Sequence, residues 1–266
     1  MKNETSHSQH PPGGGRTVGL FVTCLVDLYR PSVGFAAVSL LEAAGFEVDV
    51  PVAQTCCGQP AFNSGDNRST RDIARQVIEA FEPYDFVVGA SGSCIGTIRQ
   101  HYPELFAADE HWRQRALGVS EKSYELTSFL VDVAGVESVD SGFSAEVTYH
   151  DSCSGLRELG VKQQPRKLLS SIAGVNIREM QHSETCCGFG GTFSVKFPDI
   201  STHMVDHKVD NIGDSHAPVV TGGDLGCLLN ISGRLQRLGK PVRAYHVAEI
   251  LADMADGPAI GEGDQS

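Results

Sequence analysis

Eight cysteines falling into two copies of one pattern constrain this 266-residue chain more than any other feature. They are Cys24, Cys56, Cys57 and Cys94, followed by Cys153, Cys186, Cys187 and Cys227. Each set reads as a single cysteine, then Cys-Cys-Gly, then a single cysteine. The first gap is 32 positions from Cys24 to Cys56 and 33 from Cys153 to Cys186. The second is 37 from Cys57 to Cys94 and 40 from Cys187 to Cys227. The flanks repeat as well. Each CCG follows a threonine and enters a glycine-bearing loop, TCCGQPAFNSG and TCCGFGGTF. Each last cysteine follows a β-rich run that ends in glycine, FVVGASGSC and PVVTGGDLGC. Such an internal duplication sets the architecture before any element is assigned.

Within each half, short β-branched runs alternate with amphipathic helical patterns, the signature of βαβ units and a parallel sheet. In the first half the pattern predicts strands over 18–23, 47–52 and 86–90. It predicts helices over 33–44 and 66–81, the latter with Ile73, Val77, Ile78 and Phe81 on one stripe, and a closing helix over 123–134. In the second half strands are expected over 147–150, 176–180, 218–221 and 242–245, with helices over 164–172, 200–212, 225–238 and 247–254. The fold class is therefore α/β: two tandem modules, each a small, mainly parallel sheet flanked by helices. The modules span 17–134 and 146–256, joined by a polar linker over 135–145. Tails over 1–16 and 257–266 are expected to be disordered.

Every cysteine then lies at the carboxyl end of a strand or in the loop after it, the edge where open parallel sheets bind ligands. Three readings of the cysteines compete with a metal cluster. Isolated buried cysteines are often small hydrophobes, but eight in a duplicated pattern on glycine-flanked loops are not isolated. Disulfides are opposed by a reducing compartment, and neighbours such as Cys56 and Cys57 close only a strained ring. Structural zinc sites usually draw ligand pairs from C-x2-C knuckles, which are missing from this chain. An iron–sulfur cluster is larger than one ion, accepts ligands from several loops, and takes thiolate naturally. Adjacent thiolates on Cys56 and Cys57 would repel one another unless cations shared them. Amide donors for the buried charge are expected from Gly58, Gly92, Gly188, Gly190, Gly191, Gly222, Gly223 and Gly226.

With FVTCLVDLYRPSVG, TCCGQPAFNSG, YHDSCSGLRELG, ETCCGFGGTFSVK and GGDLGC, the chain resembles the duplicated cysteine-rich (CCG) domain found in heterodisulfide reductase and in the iron–sulfur component of glycolate oxidase. Within that group it is most similar to the lactate utilisation protein A family, over roughly residues 18–254. The resemblance implies a cytoplasmic redox subunit of a complex that oxidises L-lactate. Its implied partners are a ferredoxin-like iron–sulfur subunit and a third small subunit. The implied cofactors are iron–sulfur clusters of four-iron type, one per module if both fill, held by the eight cysteines. A thiol–disulfide reductase subunit of the heterodisulfide type and a zinc scaffold are the alternatives. In the heterodisulfide reductase pattern each module ends in C-x-x-C. Here Ser91 and Asp224 stand at the earlier cysteine, and their oxygens can ligate iron, though less naturally than thiolate.

Two further residues are candidates for chemistry. Arg157 suits a substrate carboxylate, which a guanidinium grips bidentately. His150, three residues before Cys153, suits a general base or a proton carrier beside a cluster. His203, His207 and His246 read as structural, and His7 and His10 as no more than a weak metal site. A net charge of −12 without clustered Lys and Arg argues against a nucleic-acid partner. No stretch of 18 apolar residues spans a bilayer, and the N-terminus lacks the apolar segment of a secretory signal. No G-x-G-x-x-G follows a strand, so nicotinamide or flavin binding in the usual mode has no support.

Overall fold

The computed structural model describes residues 16–263; His7 and His10 lie outside them. Eight strands form two four-stranded sheets of one topology. In the first module β1 (Thr17–Phe21), β2 (Glu47–Asp49), β3 (Phe86–Gly89) and β4 (Ser123–Glu125) lie in the order β2-β1-β3-β4. In the second, β5 (Ala145–His150), β6 (Val175–Ile177), β7 (Val219–Gly222) and β8 (Arg243–His246) lie in the order β6-β5-β7-β8. All pairings are parallel. The registers correspond: Phe21 at the end of β1 sits beside Gly89, and His150 at the end of β5 beside Gly222. The two first strands both end three residues before the first cysteine of their module.

The helices bury matching stripes. The Asn67–Phe81 helix is capped by the Asp66 carboxylate, which accepts from Ser69 N at 3.0 Å. It buries Thr70, Ala74, Val77, Ile78 and Phe81. The Pro198–Asp214 helix buries Ser201, Val205, Lys208, Val209 and Ile212 at the same spacing. Val77 of the first module therefore corresponds to Lys208 of the second.

One hydrophobic core runs through both modules, and a second lies under the first. The Gly92–Gly96 and Cys153–Leu159 helices approach so closely that a Cβ on Gly92 would lie 2.6 Å from Gly155 Cα. Beside that crossing Asp224 of the second module reaches into the first. Its Oδ1 accepts from Ser91 Oγ at 2.6 Å and Ser93 Oγ at 2.8 Å, and Ser93 N donates to the same carboxylate at 3.2 Å. Arg30 Nε donates to the buried Glu249 Oε1 across the interface at 2.7 Å.

Two sequence expectations are corrected here. Residues 123–125, expected to open a helix, form β4, because Ser123 and Glu125 bury against β3 in parallel register. Residues 257–263, expected to be disordered, pack onto the second module. Ile260 N donates to Ala244 O at 2.8 Å, Ser232 Oγ is bonded to Ile260 O, and Ala259 and Ile260 are buried. No helix among the described residues is long and apolar enough to cross a membrane.

Glu125, at the end of β4, is buried, and its Oε2 accepts from Thr127 Oγ1 at 2.6 Å and Ser128 N at 3.0 Å. Burial, reinforced by the nearby charge of Asp224, pushes its carboxyl up to about 7. The folded chain thus holds this proton more tightly than the unfolded chain, whose value is near 4.5. Its favourable contribution is complete below 4.5 and is lost as pH rises through about 7. Glu125→Gln keeps the acceptor and removes the charge. We predict that it stabilises the protein by about 1–3 kcal/mol at pH 8 relative to wild type and less at pH 5. Chemical denaturation at both pH values checks this, and an equal effect at both contradicts it.

Candidate metal centre

The cysteines of each module occupy three loops on the carboxyl edge of its sheet. Cys24 and Cys153 open the helices after β1 and β5, behind the caps Thr23 and Ser152. Cys56–Cys57 and Cys186–Cys187 lie in the loops after β2 and β6. Cys94 and Cys227 lie in the first turns of the helices after β3 and β7. In the first module Cys24 Sγ lies 3.9 Å from Cys56 Sγ. Cys56 in turn neighbours Cys57, and Cys57 neighbours Cys94, closely enough for these neighbours to shift the ionisation of Cys56 and Cys57. The second module repeats the order of neighbours: Cys153 beside Cys186, Cys186 beside Cys187, and Cys187 with its sulfur within 4.8 Å of that of Cys227. All eight cysteines are unbridged, and Cys57 and Cys187 are buried.

The glycine of each CCG explains why the motif has that residue. Gly58 and Gly188 adopt φ of 81° and 83°, a left-handed conformation that side chains disfavour. That turn points Gly58 N at Cys56 Sγ and Gly188 N at Cys186 Sγ, both at 3.4 Å. The carbonyl of the second cysteine is also held. Tyr102 OH donates to Cys57 O at 2.8 Å, and Asn230 Nδ2 donates to Cys187 O at 2.8 Å. Neither residue carries a sequence signal for this role, because the contact joins elements more than forty residues apart. Of the other glycines expected to serve the site, Gly226 instead makes room for Phe189, whose ring would lie 2.5 Å from an added Cβ.

The electrostatics suit a shared cationic partner. Hydrogen bonds from Cys24 and Cys57, with the amide of Gly58, pull the Cys56 thiol down to about 2. Cys24 is held up by its bond to Cys56 and by burial, and Cys57 by its bonds to Cys56 and Cys94 and by burial. The site thus favours charge on Cys56 and disfavours it on Cys24 and Cys57. Ionising the rest side by side requires cations between them. The donor set fits a thiolate-ligated metal group: four neighbouring cysteines per module, partly or fully buried, with a glycine amide 3.4 Å from one sulfur of each set.

The second centre differs from the first. Lys208, a fully buried ammonium, donates to His182 O at 3.0 Å and Ser183 O at 2.9 Å close to Cys186, Cys187 and Cys227. Burial pushes it down to about 8. The sequence signal was a lysine on a stripe with Val205, Val209 and Ile212, which the helical pattern alone did not single out. His150 lies with Cys187 and Cys227 in a buried group whose ligand atoms are all within 4.8 Å of one another. Neither of its ring nitrogens has a hydrogen-bond partner. Asp151 beside it forms a bidentate pair with Arg166 at 2.8 and 2.9 Å.

The entrances differ too. A cavity of about 510 Å³ reaches Cys24 and Cys56 between largely apolar walls that include Val22, Phe35, Val38, Val50 and Val52. An open cavity of about 540 Å³ reaches Cys186 between Arg157, His182, Ser183, Glu184 and Thr185. Arg157 is exposed and lines the entrance to the second centre. Ser91 and Asp224 bond to each other across the module interface. Iron ligation by Asp224 would require it to give up donors it already holds. His203 and His207 stand apart on the helix surface with their Nε2 atoms 3.2 Å apart, and His246 caps the Val247–Leu251 helix.

Two copies of a thiol-lined centre at the edge of a parallel sheet define a duplicated cysteine-rich class of protein. The cysteine-rich domain (CCG) matches this chain twice, over residues 18–99 and 147–232. Curated relatives include lactate utilization protein A of Oceanobacillus iheyensis, 48% identical over 90% of this chain and 98% of that one. The protein of the same name from an Exiguobacterium species is 51% identical over 88% and 96%. The chain belongs to the lactate utilization protein A family of duplicated CCG-domain proteins. Among solved structures, a hypothetical protein from Helicobacter pylori shares the fold with a TM-score of 0.65 at 14% identity, over 97% of this chain and 52% of that one.

Gly188 cannot carry a side chain without strain, since its Cβ would lie 2.7 Å from Ser201 O. Gly188→Ala is expected to lower stability by about 1–3 kcal/mol and to weaken metal retention in the second module. Gly65→Ala, also at positive φ but in open space, serves as control. Thermal unfolding and metal content of the two variants, if indistinguishable, would refute the role given to this glycine.

Proposed function

We propose that this chain is an iron–sulfur redox subunit of a complex that oxidises L-lactate to pyruvate, allowing lactate to serve as a carbon source. The observation that carries the proposal is the convergence of four unbridged sulfurs in each module. It occurs in a chain whose relatives, near half identical over almost their full length, are called lactate utilization protein A. When bound, a cluster of this kind supplies reversible one-electron exchange.

The chain's own residues supply the setting. The eight cysteines hold the clusters, one of four-iron type per module, and the amides of Gly58 and Gly188 bond to sulfur. The Lys208 ammonium offsets negative charge in the second centre. Arg157, at its polar entrance, suits the carboxylate of lactate or pyruvate. Phe35 and Val52 in the apolar entrance of the first centre are exposed, as are Leu28 and Tyr29 on the helix that Cys24 opens. That surface supports contact with protein partners, which we propose to be a ferredoxin-like iron–sulfur subunit and a third small subunit. Eight free thiols support a reducing, cytoplasmic setting.

The test is metal and sulfide analysis of anaerobically purified chain, alone and with its partners. The expected result is brown protein with about four irons and four sulfides per module, and lactate-dependent bleaching of the assembled complex. Cys57→Ser should roughly halve the iron, because the two centres are built on separate sheets, and should leave the second module's spectrum unchanged. Colourless protein with stoichiometric zinc would overturn the proposal.

A further inference from the structure

The second centre contains a buried polar group that the four-cysteine description leaves unexplained. His150 is 1% exposed. Both of its ring nitrogens are enclosed without a hydrogen-bond partner. Leaving such a group unsatisfied costs about 1–3 kcal/mol, so a buried imidazole of this kind normally has a partner. The nearest soft donors are known: a ring nitrogen, Cys187 Sγ and Cys227 Sγ all lie within 4.8 Å of one another. That spacing suits donors gathered around metal, and imidazole is a good ligand for iron.

The duplication provides an internal comparison. Phe21 stands where His150 stands, three residues before the first cysteine and at the last position of the central strand. Phe21 packs in an apolar cluster with Cys57 and offers no lone pair. The fold alone therefore does not require a histidine there. Nor does His150 fit a proton relay to solvent, because it is enclosed and bonded to no polar group that leads outward.

We infer that His150 donates a ring nitrogen to the metal group of the second module, which makes that centre a mixed thiolate–imidazole site while the first is thiolate only. The inference rests on the iron–sulfur reading above. Its consequence is a division of labour between the modules. A neutral imidazole on the cluster raises its reduction potential relative to an all-thiolate one, and the Lys208 ammonium acts in the same direction. Electrons delivered to the chain then settle in the second module, beside the polar entrance that carries Arg157.

The test uses the full chain, reduced, with heavy-nitrogen label confined to histidine, read by pulsed spin resonance. A strongly coupled nitrogen that shifts with the label is expected in wild type. It should disappear in His150→Phe, which places the first module's residue in the second, and in His150→Cys, which keeps a soft donor should the phenylalanine variant fail to fold. One of the two cluster potentials should fall in either variant while the other stays. A spectrum without nitrogen coupling, a weakly coupled nitrogen typical of an N–H···S hydrogen bond, or coupling that survives both substitutions would overturn the inference. Full iron content with any of these results removes the histidine ligand alone. Loss of iron from wild type removes the iron–sulfur reading and this inference together.

Discussion

Sulfur atoms crowded at the carboxyl edge of a parallel sheet set the terms for the rest of each module. Four neighbouring thiols, once ionised, repel one another and resist desolvation, so the loops that hold them must be fixed from outside and supplied with compensating dipoles. The sheet fixes them: three parallel strands deliver their loops to the same edge, and cysteines up to 74 positions apart come together. The left-handed glycine of each CCG turns an amide onto sulfur. Tyr102 and Asn230, from different helices, bond to the carbonyl behind it. Removing the parallel order would scatter the sulfurs, and no local motif would restore them.

Duplication gave the chain two such centres, and divergence made them unequal. Corresponding positions carry Phe21 and His150, Val77 and Lys208, and an apolar and a polar entrance. The first centre opens between largely apolar walls, and the second between polar and charged ones. Asp224 joins the halves. As the N-cap residue of its own helix it makes no side-chain bond there, and it binds Ser91 and Ser93 of the other module instead. The position that holds a cysteine in the heterodisulfide reductase pattern serves here as an inter-module clasp.

Much of this was legible in the chain before folding. The duplicated cysteine grammar, the strands at 18–23 and 147–150 and the helix after the first CCG all follow from periodicity and spacing. β4 was not legible, because the three residues Ser-Tyr-Glu are too few to show a strand alternation and their pairing with β3 is set by the fold. The C-terminal stretch beginning at residue 257 reads as a tail by composition, yet its backbone bonds to Ala244. Lys208 was hidden for the opposite reason: a charged residue on a helix is normally read as a solvated one, and only packing reveals that it is enclosed.

By itself the sequence determined which atoms can bind metal and that they come in two sets of four, since ligand identity and motif spacing are properties of the chain. Tertiary structure decided which atoms meet: the order of sulfur contacts, the burial of His150 beside Cys187 and Cys227, and the engagement of Asp224 by Ser91. These depend on distances between elements far apart in sequence, which only the closure of the two sheets and the docking of one module on the other set.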